Sequence, residues 1–318
     1  MTDKKIIAVV GATGQQGGAL ARAIMDDPEG GFTVRALTRD PGSTPAGAFP
    51  DVVAADLDDE ASMLKAFAGA YGAFVVTDHW APQAPEDAAV RSRAKREMDQ
   101  VAIAARAAHE AGLKHVVSST LEDTRPHFAH LGIELPTLED GFKVPHFDAK
   151  ALANNHFTDL SVPTTFLDTT SFYDNFLVPG HGPTRDENGE LVLKRAYADS
   201  TVALVSAKDI GLTAYAILRA GPRFIGRTIG LAGDHVTGAE IARMFTDVLG
   251  EEVTYQPVPF DVLAASGRPE AANMFQYYAQ ASEAFLAHRD LDRIKQLNPA
   301  LQSLPDWIAE HKAAFEAI

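Results

Sequence analysis

Cysteine is absent from all 318 residues, which removes disulfides, thiolate nucleophiles and zinc–thiolate centres. Positive charge is scarce: 28 Lys and Arg stand against 43 Asp and Glu, a formal net charge of -15. A surface of that sign repels nucleic-acid phosphates and anionic lipid, so no direct nucleic-acid contact is expected. No apolar run approaches the roughly 20 residues that span a bilayer, so no membrane association is expected either. No secretory leader pattern precedes the first apolar segment, and the expectation is a cytoplasmic protein. The chain holds 11 histidines, but His127 and His130 share a segment with no clear third ligand, and no metal site is expected. The 46% hydrophobic content suffices for two lobes, or for one large α/β domain with an appendage.

The most informative stretch is Ile6-Ile-Ala-Val-Val-Gly11-Ala-Thr-Gly14-Gln-Gln-Gly17-Gly18. Five apolar residues run into glycines spaced by three, and an Ala- and Leu-rich segment follows; this predicts a buried parallel strand, a tight turn and a helix. The first glycine allows the turn, the second lets main chain approach a ligand, and the third lets helix and strand touch. Amides at the helix start then favour an anion such as a pyrophosphate.

Phe32–Arg39 reads as the second strand, closed by Asp40-Pro41-Gly42. A base at this strand end suits the 2′-phosphate of NADP and an acid the ribose hydroxyl of NAD; Arg39 favours NADP(H), with NAD(H) the alternative. Val52–Leu57 is the third strand, with Asp56 either meeting an adenine amino group or capping the next helix. Ala70–Thr77 is the fourth, leading to Asp78, His79 and Trp80 at the carboxyl end, where open parallel sheets place ligands. His79 lines the cofactor groove or is catalytic. Residues 85–112 read as one long helix whose Arg91, Arg93, Lys95 and Arg96 form a solvated basic face or a phosphate patch. Lys114–Thr120 is the fifth strand, and Ser119 at its end is a tentative donor to a substrate carbonyl.

Five strands alternating with helices predict a Rossmann-type doubly wound parallel sheet with a smaller α/β C-terminal lobe. Leu121–Pro145 reads as a loop over the active-site face, and His146–Phe157 as a helix with His146 and Lys150 on one side. Beyond Pro163–Asp168, a further strand, the alternation stops. Glu187-Asn-Gly-Glu190 signals a hairpin, Thr237-Gly-Ala-Glu240 a capping box, and Val253–Val258 an edge strand. Phe275, Tyr277 and Tyr278 read as core of the second lobe. The expected division is 1–175 as the NAD(P)-binding domain and 176–318 as the lobe for substrate or partner, built from interleaved segments.

Several pieces resemble the NmrA-like family of atypical short-chain dehydrogenases, and within it the HSCARG subgroup. They are Gly11–Gly18, Thr38-Arg39, Phe74-Val-Val-Thr-Asp-His-Trp80, His146-Phe-Asp-Ala-Lys150, Ala272–Tyr278 and Leu304–Lys312. The resemblance implies that Gly11, Ala12, Thr13, Gly14, Gln15 and Gln16, with Gly17, hold the pyrophosphate, and Arg39 the 2′-phosphate. It places Asp56 and Leu57 by the adenine, and Thr77, Asp78, His79, Lys150, Phe172, Tyr173, Asp174 and Asn175 along the ribose and nicotinamide. The family often carries further bases after the Arg39 position, where this chain has Asp40, Gly42 and Ser43. Lys95 is the one candidate for a cofactor-contacting lysine on the long helix.

Typical short-chain dehydrogenases use a Tyr-x-x-x-Lys pair, the Tyr moving the proton that accompanies hydride transfer. Here His146 takes the Tyr position before Lys150. The HSCARG resemblance implies a redox sensor that binds NADP(H) and a regulatory protein partner. Triphenylmethane reductases of the same family reduce small molecules without the usual acid. That leaves an NAD(P)H-dependent reductase of an apolar or quinone-like substrate as the alternative, with His146 or Ser119 as proton donor. A homodimer is compatible with either.

Overall fold

The structure is a computed structural model that describes residues 4–315. Among the described residues the strands are β1 (Lys5–Val10), β2 (Phe32–Thr38), β3 (Asp51–Ala54), β4 (Gly72–Val75), β5 (His115–Thr120), β6 (Thr164–Asp168), β7 (Ser171–Phe172), β8 (Thr184–Arg185), β9 (Leu191–Arg195), β10 (Thr201–Val205), β11 (Thr228–Gly230), β12 (Asp234–Thr237) and β13 (Val253–Pro257). The helices up to residue 249 are α1 (Gln15–Met25), α2 (Glu60–Phe67), α3 (Pro85–Ala88), α4 (Arg93–Glu110), α5 (Arg125–Leu131), α6 (Pro145–Ala153), α7 (Asn155–Asp159), α8 (Ala207–Arg219) and α9 (Gly238–Leu249). No helix among them is long and apolar enough to cross a membrane.

The chain divides into two compact units. The first comprises residues up to 123, 139–168 and 210–229; the second comprises 124–138, 169–209 and 230 onward.

The first unit is built on a seven-stranded sheet of order β11-β6-β5-β4-β1-β2-β3. Strands β1 to β6 pair in parallel. Strand β1, inside the sheet between β4 and β2, is covered on both faces, with Ile7, Ala8 and Val9 fully buried, as the unbroken apolar run predicts. Small residues of α4 (Ala104, Ala105, Ala107, Ala108) pack with Met63 and Phe67 of α2 and with Ala8, Ala73 and Val116 of the sheet. Short side chains there let helix and sheet approach closely.

Three helical expectations need correction. Residues 85–112 are two helices: α3 ends at Ala88, and Ser92 restarts the chain by capping α4, its Oγ accepting from the Lys95 amide at 2.9 Å. Residues 121–145 are not wholly loop, since α5 forms within them and closes on Gly132 at φ 65°. The helix from His146 stops at Ala153, and Asn154 separates it from α7.

The second unit holds two three-stranded sheets, β12-β10-β7 and β13-β9-β8. The expected hairpin joins β8 and β9, which pair antiparallel. The capping box is complete: the Thr237 Oγ1 accepts from the Glu240 amide at 3.2 Å, and the Glu240 carboxylate accepts from the Thr237 amide at 2.8 Å. Strand β13 lies at its sheet's edge, parallel to β9. Phe275, Tyr277 and Tyr278 are buried and meet Phe285 and Tyr197 edge-on or tilted, so they are core.

Candidate functional site

The turn between β1 and α1 has the geometry the glycines predict. Gly11 adopts φ 64°, a region that favours glycine. A Cβ on Gly17 would sit 2.5 Å from the carbonyl oxygens of Gly11 and Val10, so only glycine lets α1 lie against this strand. Thr13, Gly14 and Gln15 are exposed. Helix α1 has no side-chain cap and no acid in its first turn, in contrast to α2, where the Asp59 carboxylate accepts from the amides of Ala61 and Ser62. The first amides of α1 are therefore open to an outside acceptor, and the positive end of its dipole is uncompensated by protein charge. A dinucleotide's diphosphate matches this helix start in hydrogen bonding and charge.

Arg39 follows β2 directly and is exposed. The Asp40 carboxylate turns away into its own loop, accepting from the Gly42 amide at 2.9 Å. Asp56 is not the cap of α2; that is Asp59. The Asp56 carboxylate instead accepts from the Asp58 amide at 3.0 Å, and its main chain bonds the Ser62 hydroxyl. Asp56 and Leu57 are half-buried in the turn after β3.

The basic segment is a set of ion pairs. Asp58 accepts from Arg91 at 2.9 Å, from Arg96 at 3.1 Å and from Gln100 at 3.0 Å. Arg91 also pairs with Asp87 at 2.5 Å, and Lys95 with Asp99. Burial opposes ionisation of Asp58, but Gln100, Arg91 and Arg96 outweigh it and lower its pKa. These contacts tie the β3–α2 turn to the start of α4. Lys95, the one candidate for a cofactor-contacting lysine, is engaged by Asp99.

At the end of β4 the structure assembles residues from four segments. Lys150, on α6, donates to the Thr77 carbonyl at 3.1 Å, to the Thr77 hydroxyl at 2.7 Å and to Glu97. Glu97, on α4, is buried; it also accepts from the Thr77 hydroxyl at 2.7 Å and meets His79 Nδ1 at 3.1 Å. Burial pushes the Glu97 carboxyl up, but the Lys150 charge and the His79 contact outweigh it, and the pKa falls to about 2. His146 lies one turn before Lys150, and its ring is 5.8 Å from that of His79 and 5.5 Å from that of Trp80. Ser119, at the end of β5, donates to the Gln16 side chain at 2.7 Å, linking the fifth strand to the first turn of α1. Thr77, His79, His146 and Lys150 lie together here, while Asp78 is exposed and turned back onto the Trp80 amide at 3.0 Å.

Glu97 is the member that sequence reasoning missed. It sits in Arg93-Ala-Lys-Arg-Glu-Met-Asp-Gln100, which reads as a solvated polar face. The available signal was period: Glu97 falls on the stripe of Ala94, Val101 and Ala104, all buried.

Phe172, Tyr173, Asp174 and Asn175 belong to the second unit. Tyr173 is fully buried, its hydroxyl donating to Asp234 at 2.8 Å. Burial and the Asp234 charge raise the Tyr173 pKa strongly. The Asp174 carboxylate accepts from the Ala207 amide at 2.8 Å. Phe172 and Asn175 are half-buried.

A parallel sheet of this order, with a glycine turn at the end of its interior strand β1 and an uncapped helix beyond, defines an α/β protein of the Rossmann type. The chain belongs to the NmrA-like family, whose model matches residues 3–301. FrzB of Cladobotryum sp, described as an NmrA-like family domain-containing oxidoreductase, is 29% identical over 297 residues, which cover 86% of this chain and 83% of FrzB. The crystal structure of NmrA, described as a negative transcriptional regulator in complex with NADP, has a TM-score of 0.73 at 22% identity, covering 97% of this chain and 95% of that one. The Citrobacter sp. triphenylmethane reductase complexed with NADP(H) has a TM-score of 0.70 at 22% identity, covering 96% and 99%. At these identities the two structures establish the shared fold.

Proposed function

We propose that the protein is an NADP(H)-binding redox sensor of the HSCARG type, acting on a regulatory protein partner in the cytoplasm. The observation that carries this reading is the state of Lys150. An ammonium has three protons to donate, and here each has an acceptor inside the protein: the Thr77 carbonyl, the Thr77 hydroxyl and Glu97. Lys150 can reach a ribose hydroxyl only by releasing one of them. Nucleotide occupancy is then felt by Glu97 and, through it, by His79 and α4. The residue one turn earlier is His146, so the usual tyrosine acid is missing from this position.

In this reading Gly11, Ala12, Thr13, Gly14, Gln15, Gln16 and Gly17 hold the diphosphate, and Arg39 the 2′-phosphate. Asp56 and Leu57 flank the adenine. Thr77, Asp78, His79, Lys150, Phe172, Tyr173, Asp174 and Asn175 serve the nicotinamide half. Residues 1–175 carry the nucleotide function and 176–318 the substrate or partner function, with a homodimer as the working assembly. NmrA itself has been crystallised with NAD and with NADP, which supports NADP(H) here with NAD(H) as a second ligand. The test is to compare melting temperature and backbone hydrogen exchange of the protein alone, with NADP⁺ and with NADPH. Differing responses of α4 and α6 are expected; identical behaviour in all three states would sink the sensor reading.

The second reading is an NADPH-dependent reductase of a small apolar or quinone-like substrate. It is favoured by the paired imidazoles of His79 and His146 beside Lys150 and by the oxidoreductase description of FrzB. His146 or Ser119 would supply the proton; an imidazole can transfer one near neutral pH. A panel of quinones, imines, carbonyls and dyes that leaves NADPH oxidation at blank level would exclude it.

A further inference from the structure

Arg195 ends β9, where its carbonyl accepts from the Val258 amide at 3.0 Å as β13 leaves the sheet. Its guanidinium lies 5.3 Å from the centres of both the Tyr197 and the Phe275 ring, and its Nε donates to the Tyr197 hydroxyl at 3.3 Å. Beyond β13 the chain forms α10 (Phe260–Ala265), reverses at Gly267 with φ 83°, and starts α11 (Pro269–Gln280) from Arg268. Arg268 and Phe275 are two helical turns apart and so share one face of α11. The third group is His181, in a turn closed by its amide donating to the Val178 carbonyl at 2.9 Å. A Cβ on the adjoining Gly182 would lie 2.4 Å from the Phe176 carbonyl oxygen, so the turn is held tightly. Arg195 and Arg268 both lie near enough to act on the His181 ring, and no carboxylate does. Burial lowers the His181 pKa, and the two guanidinium charges lower it further.

Among the described residues neither Arg195 nor Arg268 has a carboxylate partner. That is unexpected in a chain with 43 acidic residues for 28 Lys and Arg, where Arg185 takes Glu251 and Arg219 takes Asp27. Glu270 follows in the first turn of α11 but pairs with neither arginine. Asp199, which with Arg195 acts on Tyr255, is exposed and is not an ion-pair partner of Arg195.

We propose that His181, Arg195 and Arg268 form a binding site for a phosphate dianion, free or as a monoester. Like charges gathered without a counter-charge oppose one another, and an outside anion relieves that opposition. Two guanidiniums from separate elements present forked donors that match the oxygens of a phosphate. The Tyr197 and Phe275 rings back the Arg195 plane, leaving its terminal nitrogens to donate. A dianion balances both arginines, whereas a singly charged group leaves one uncompensated. The neutral imidazole adds one N–H donor. All of these residues belong to the second unit, and none is among those assigned above to the nucleotide.

The test is calorimetric titration of the full chain at constant ionic strength and about pH 7.5, where a phosphate monoester is chiefly dianionic. Methyl phosphate and inorganic phosphate are each expected to bind at least about tenfold more tightly than dimethyl phosphate, which carries one charge. Inorganic phosphate binding the tighter of the two marks the free ion as the ligand, and the reverse order a monoester. Location is read by NMR: the His181 imidazole signal, identified by its loss in His181→Asn, should move with the calorimetric affinity. Arg268→Gln should weaken methyl phosphate about tenfold or more and remove the movement, and Arg195→Gln should do the same. Arg268 is exposed, so Arg268→Gln should melt as the wild type does and decides the matter even where Arg195→Gln loses stability. A His181 signal unmoved by methyl phosphate, equal affinity for methyl and dimethyl phosphate, or unchanged affinity in Arg268→Gln would each overturn the proposal. No nucleotide is needed, so the outcome is independent of the sensor reading.

Discussion

Replacing Lys150 by Met removes the charge that keeps Glu97 ionised while leaving the carboxylate buried. The Glu97 side chain is 2% exposed and that of Lys150 13%. After the change Glu97 retains two weaker donors, the Thr77 hydroxyl at 2.7 Å and His79 at 3.1 Å. Breaking a buried pair by deleting one partner costs about 3–5 kcal/mol, and that is the loss expected for Lys150→Met in urea unfolding at pH 7. Removing both charges, in Glu97→Gln with Lys150→Met, should recover all but about 1 kcal/mol, because no uncompensated charge remains. The pH dependence gives a second check with a defined sign. In the wild type the Glu97 pKa is depressed below its ordinary 4.5 to about 2, so its contribution is complete above 4.5 and fades as pH falls towards 2. In Lys150→Met, burial acts without the lysine charge and the pKa is raised. The deficit of that variant should therefore shrink as pH falls towards 4.5. A Lys150→Met protein as stable as wild type, or a double variant no better than the single, would refute the claim that this pair organises the site.

Three further outcomes test the framework. Gly17→Ala should cost about 3 kcal/mol or more, or prevent folding, because the obstructing atoms are backbone oxygens at 2.5 Å; Gly14→Ala, whose nearest obstacle is at 3.2 Å, should fold, and thermal melts separate the two. His115 is fully buried, and burial lowers its pKa from 6.5 to about 4. The unfolded chain thus binds the extra proton between those values, so stability should drop by about 3 kcal/mol as pH falls from 6.5 to 4, a share that His115→Gln should remove in pH-dependent urea melts. Thr237→Ala should cost about 1 kcal/mol through loss of the α9 cap, measured by chemical unfolding.

The parts legible in the sequence are those fixed by neighbours along the chain. The β1 turn and α1 follow from three glycines and an apolar run, the cap of α9 from two residues three apart, and the β8–β9 hairpin from an Asn-Gly between charged residues. Parts fixed across the chain were hidden. Glu97 looks solvated because its partner Lys150 is 53 positions away. Asp58 looks like a helix-start acid, yet it is claimed by Arg91, Arg96 and Gln100 from the far side of β4. The break before α4 depends on Ser92 competing for the Lys95 amide, a choice that helical periodicity does not reveal. Strand β11 spans three residues, too short to leave a pattern of its own.

The account depends most on the uncapped turn at Gly11–Gly17 receiving a dinucleotide's diphosphate while Arg39 meets a 2′-phosphate. Titrating NADPH and NADH into the wild type and Arg39→Ala tests both at once. We expect saturable binding of both, with NADPH preferred by about tenfold, and an Arg39→Ala variant that loses that preference while keeping its NADH affinity. No saturable binding of either nucleotide, or an equal loss for both in Arg39→Ala, would contradict it.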